Sequence, residues 1–94
     1  MKRFYICQLP PEHFALCCGP DAIAQCIQHH RNGNYRMVGE ITGTNLDDVF
    51  AQGNDPDVDW GWNGHDVRSV SMSDLVVTET GQVHLCTAKG WKSL

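Results

Sequence analysis

Cys17, Cys18, Cys26, His29 and His30 are the residues of this chain best equipped for chemistry. Thiolate and imidazole are the ligands zinc prefers. Cys26 and His30 are one helical turn apart, so both could address one ion, with Cys17 or Cys18 approaching from the preceding turn. The spacing argues against a metal, because no Cys-x-x-Cys occurs and adjacent Cys17 and Cys18 would aim in different directions on a helix. A thiol nucleophile is the other chemistry on offer. Cys17 or Cys18 near a helix start could have a lowered pKa, with His13, His29, His65 or His84 as base. No nucleophile motif frames either cysteine. Cys26 and His30 share a stripe with Ile23 and Ile27, so packing at the edge of a core is the expectation. A small metal-binding or cysteine-dependent enzyme using Cys17, Cys18, Cys26 and His30 is the alternative. No metal or cofactor is expected, and without a phosphate-binding glycine loop neither is nucleotide use. Asp55-x-Asp57-x-Asp59 opens like a calcium loop but continues with Trp60 and Asp66 where Gly and Glu are needed.

Trp60-Gly61-Trp62-Asn63-Gly64-His65 has the composition of a recognition element. Tryptophans in a glycine-bearing loop offer rigid contact area and are enriched at interface hot spots. Asp55, Asp57, Asp59 and Asp66 would give that patch an acidic rim, with His65 and Arg68 beside it. The competing reading is that one or both tryptophans fold down to close the core. Arg68, Ser71, Ser73 and Asp74 also admit two readings: a contact patch with charge-assisted bonds, or a local backbone device in which Ser71 caps a turn through the Asp74 amide. The second is expected.

Those segments need elements to position them. With 94 residues the chain makes one domain, and 41% hydrophobic and 19% charged residues are ordinary globular values. The formal charge of −4 and the scattered Lys and Arg argue against a nucleic-acid binder. An acidic balance suits docking on a basic partner surface. No run of about 18 apolar residues is present, so no membrane span is expected. The basic N-terminus lacks the apolar region of a signal peptide. The five cysteines then read as reduced thiols.

A strand over Arg3–Leu9 stops at Pro10-Pro11, and a helix from Pro20 to about His30 ends at Asn32-Gly33-Asn34. A second strand follows over Tyr35–Ile41, then a short helix capped at Thr44 with Leu46, Val49 and Phe50 as its apolar face. After the loop 55–66 comes a hairpin through Glu79-Thr80-Gly81-Gln82. The order β, α, β, α, loop, β, β predicts an α+β fold: a sheet of about four strands, two short helices on one face, and a C-terminal β-hairpin. The strand Val83–Thr87 is the candidate edge for a two-fold homodimer, unless Trp91 and the tail fold across it.

The run Arg68-Ser69-Val70-Ser71-Met72-Ser73-Asp74, the apolar strand after it and the terminal Gly90-Trp91 resemble the YodL-like family of small phage and mobile-element proteins. Tyr5-Ile6-Cys7-Gln8-Leu9, Tyr35-Arg36-Met37-Val38-Gly39-Glu40 and Asn45-Leu46-Asp47-Asp48-Val49-Phe50-Ala51 resemble further family segments in the same order. The cysteine-rich first half and the Trp60/Trp62 loop depart from the pattern. The resemblance implies no catalytic residues. It implies an accessory protein in bacterial cytoplasm, a context in which small acidic proteins bind and inhibit host defence complexes, CRISPR nucleases among them. The expected partner is therefore a host protein or ribonucleoprotein complex.

Overall fold

Phe4-Tyr5-Ile6 places aromatic and β-branched side chains in succession, and they form the centre of strand β1 (Lys2–Gln8). In a computed structural model the described residues are 1–14, 21–65 and 67–94, with the backbone alone at Phe14. After β1 come α1 (Pro11–Phe14), α2 (Ala22–Arg31), β2 (Arg36–Gly43), α3 (Leu46–Gly53), β3 (Leu75–Thr78), β4 (Val83–Thr87) and β5 (Gly90–Ser93). Pro11 at the head of α1 follows the preference of proline for the first helical position. Gly33, at φ +71°, supplies the left-handed turn that ends α2, and its amide donates to the His30 carbonyl. The cap of α3 falls one residue later than the sequence suggested. The Asn45 side chain accepts from the Asp48 amide, and the Asp48 carboxylate accepts from the Thr44 amide.

The fold is α+β, built on a sheet of five strands in the order β2-β1-β3-β4-β5, every neighbouring pair antiparallel. The fifth strand is the addition to the expected four. Thr87 and Gly90 close a tight turn, with Gly90 at φ +108°, and the tail runs back along β4. The strand Val83–Thr87 is therefore not an edge. It lies between β3 and β5, because Trp91 and the tail do fold across it.

Alternation along β1 divides the core. Phe4 and Ile6 face one side with Val38, Ile41, Val76 and Val70, and Val49 of α3 with Trp60 covers them. Cys7 and Leu9 face the other side with Leu75 and Leu85, and Cys26 of α2 covers those. The two helices thus lie on opposite faces, not on one. The reason is in α2, where the inward stripe is Ala22, Gln25, Cys26 and His29 while Ile23 and His30 are exposed. Between β1 and β2 the register shifts at Ile6/Cys7, so that Cys7 pairs with Met37 and Val38 is the extra residue of a bulge.

Gly39 sits under the loop that follows α3. A Cβ there would lie 2.3 Å from the Trp60 carbonyl oxygen and 2.8 Å from its ring. Gly39→Ala is expected to lift that loop and to cost about 1–3 kcal/mol of stability, read as a lower urea midpoint at unchanged slope. Gly64→Ala, at φ +84°, meets no atom but strains the backbone, and is expected to cost about 1 kcal/mol while leaving the loop seated on β2, read from amide protection at Trp62 that falls less than in Gly39→Ala.

Candidate functional site

The loop between α3 and β3 is built from its ends inward. Gly53 closes α3 because a Cβ there would meet Val70 at 2.3 Å. Asn54 then ties both sides, its side-chain Nδ2 donating to the Phe50 and Val70 carbonyls, each at 2.8 Å. Asp55 turns the chain by accepting from the Asp57 amide at 2.9 Å, while its carbonyl accepts from the Val58 amide. Trp60 then drops into the core, 8% exposed. Its neighbours pair with the outer edge of β2: the Glu40 amide donates to the Trp60 carbonyl, and the Trp62 amide donates to the Val38 carbonyl at 2.8 Å. Gly39 and Gly61 form the bridge between them.

The expected contact residues therefore separate. Trp60 is a core residue and has little surface to give a partner. Trp62 stays half-buried at the surface and meets His65 edge to face, ring centroids 6.2 Å apart. Asp57 and Asp59 are exposed with Asp55 beside them, and His65 is exposed. Asp66 lies outside the described residues. Arg68 turns inward, donating to the Leu9 carbonyl at 3.0 Å and approaching Asp74 at 3.5 Å. What remains is an acidic and aromatic rim with Trp60 as its root. Hollows of about 320 and 220 Å³ flank it, the first against Pro10 and Arg36, the second against Pro56 and Val58.

The serine run is a buried polar knot. Asp74 is fully buried. Its Oδ2 accepts from the Ser71 amide at 3.0 Å and from Gln8 Nε2 at 3.0 Å. Gln8 also donates to the Arg68 carbonyl and accepts from the Arg68 amide. The expected cap runs the opposite way: the aspartate side chain caps the Ser71 amide, and the Ser71 hydroxyl turns to the Met72 carbonyl. Ser73 adopts φ +83°, rare for a residue with a side chain. Its amide donates to the Cys86 carbonyl, and its carbonyl accepts from the Tyr35 hydroxyl. Burial pushes the Asp74 carboxyl up to about 6, although the Ser71, Gln8 and Arg68 bonds pull it down.

Of the cysteine and histidine cluster, Cys26 and His30 do not converge. Cys26 is 1% exposed and packs with Leu75 and Leu85, whereas His30 is exposed. His29 instead meets His13, ring centroids 4.7 Å apart, and its Nδ1 is hydrogen-bonded to Asn34 Nδ2. Cys17 and Cys18 lie outside the described residues. Among the described residues no group of three or more His, Cys, Asp or Glu could hold a metal ion. Burial, with the Asp74 charge second, pushes the Cys7 and Cys86 thiols up to about 11, so both are protonated at neutral pH and poor nucleophiles.

A groove that the motifs did not announce opens between the start of α3 and strands β3–β5. Its volume is about 800 Å³, and Phe4, Leu46, His84 and Trp91 line it with Lys2 and Glu79. Its walls come from both ends of the chain, so no local motif could have signalled it.

Two outcomes test the division between root and rim. Trp60→Ala is expected to cost about 3–5 kcal/mol, as for other buried aromatic truncations, while Trp62→Ala costs about 1 kcal/mol or less. Chemical denaturation of the two variants measures the contrast. The Asp74 carboxyl binds a proton more tightly in the folded state than its ordinary 3.8. Its contribution to stability is thus full below pH 4 and lost as the pH rises through about 6. From pH 7 to pH 5 the native state is expected to gain about 1 kcal/mol, and Asp74→Asn to flatten that profile. Compared with protein-family models, with curated proteins and with solved structures, the chain matches none of them.

Proposed function

We propose that this chain is a non-catalytic binding protein that docks on and inhibits a host defence complex in bacterial cytoplasm, as accessory proteins of phages and mobile elements do. The observation that carries the reading is the fixed presentation of the rim. Trp60 in the core, the bridge at Gly61 and the Asp55 turn hold Asp55, Asp57, Asp59, Trp62 and His65 in one arrangement before any partner arrives. A surface already ordered loses less conformational entropy on binding than a free loop. Its charge is negative, which suits a basic surface such as the nucleic-acid channel of a ribonucleoprotein nuclease. Among the described residues, Asp74, Gln8 and Arg68 bind one another, and Cys7, Cys26 and Cys86 pack in the core.

Phage plating on hosts that each carry one defence system, CRISPR nucleases included, tests the reading. Expression of the chain is expected to restore plating on at least one such host. The triple change Asp57→Asn, Asp59→Asn, Trp62→Ala is expected to abolish the restoration while the protein keeps its fold by circular dichroism. Restoration retained by the folded triple variant would place the contact elsewhere, and no restoration on any host would overturn the inhibitory role.

A further inference from the structure

The two edges of the sheet are unlike. On β2, the Val38 carbonyl and the Glu40 amide are taken by the Trp60–Trp62 segment, and the Thr42 carbonyl accepts from Gln52 Nε2 at 3.0 Å. On β5, among the described residues, the outer edge has no backbone partner. The Leu94 amide donates to the Val83 carbonyl, and the Cys86 amide and carbonyl both face β3 through Asp74 and Ser73. In an antiparallel ladder the sense alternates residue by residue. Gly90, Lys92 and Leu94 therefore turn toward β4, and the amides and carbonyls of Trp91 and Ser93 point outward. Lys92 and Ser93 are exposed and Trp91 is half-buried.

The side chains say which strand could add there. A second copy pairing by a two-fold would set Trp91 opposite the partner's Ser93, the register that satisfies the outward groups of both chains. That register places Lys92 directly against the partner's Lys92. Like charges directly opposite are destabilising, and lysine on an edge is a common device against self-pairing. An acidic residue at the same position is attracted instead, and Lys89 in the adjoining turn adds a second positive charge. We propose that β5 is a docking edge for an extended acidic segment of a partner protein. The segment would pair its backbone with Trp91 and Ser93, set a Glu or Asp opposite Lys92, and lay an apolar neighbour against the Trp91 indole. This is strand addition, in which backbone bonds supply affinity and alternate side chains supply selectivity. The edge lies at the opposite end of the sheet order from the rim on β2, so the two surfaces stand or fall separately.

Capped peptides of about seven residues, long enough to span β5, provide the test. One alternates valine with glutamate, the other valine with lysine. The glutamate peptide is expected to bind about tenfold more tightly at low salt and to slow hydrogen exchange at the Trp91 and Ser93 amides. Lys92→Glu, at an exposed position, is expected to reverse the preference. Equal affinity for the two peptides, protection that falls elsewhere than on β5, or an unchanged preference in Lys92→Glu would each overturn the proposal. So would a dimer of the native chain with the Trp91 and Ser93 amides protected.

Discussion

The Asp74 carboxylate is the constraint on which the arrangement turns. Five segments meet at or beside it: the end of β1 through Gln8, the return of the loop through Arg68, the turn at Ser71, the start of β4–β3 pairing through Cys86, and Tyr35 ahead of β2 through Ser73. A carboxylate without water must have its lone pairs met, and a half-met network is worse than an apolar one. The backbone conformation of Ser73 follows from this: the residue is held at φ +83° because both of its backbone groups are already committed on either side. Replacing the knot with apolar side chains would remove the charge from the interior. It would also leave the loop without the directional bonds that set its path from Gly53 to Leu75.

That path explains the distribution of surface and core. The loop must cross from α3 on one face to β3 in the sheet interior, and Trp60 is the ballast that pins it midway over Gly39. Beyond Trp60 the chain stays on the edge of β2 through the bond from the Trp62 amide to the Val38 carbonyl. A regular strand would set both tryptophans, two residues apart, on one face; this segment is held on β2 by a single bridge at Gly61, and Trp60 is buried while Trp62 stays half-buried.

Much of the fold was legible in the sequence because the signals are local. The strand-forming run at Phe4, the stop at Pro10-Pro11, the exit at Asn32-Gly33 and the hairpin glycine at 81 each act within a few residues. The side on which each helix packs was not legible. In α2 the two isoleucines suggest one stripe, yet Ile23 is exposed while Cys26 packs among Cys7, Leu9, Leu75 and Leu85. The Asp74 site was visible only in its local half. Ser71 and Asp74 are neighbours in sequence, but Gln8 lies 66 residues away, and no spacing rule connects them. The rim was half legible: the acids and Trp62 announce a surface by composition, while the fate of Trp60 depended on a glycine in a different strand.

A sheet with one sealed side and one open side has a consequence for how this protein behaves in a crowd. Fibrous growth requires each unit to offer two free edges, so that every addition presents a fresh template. Here, among the described residues, the β2 side is occupied by the chain's own loop and Gln52, and an addition on β5 would use up the side that remains. Strand pairing on β5 would therefore end a row of strands and not extend it.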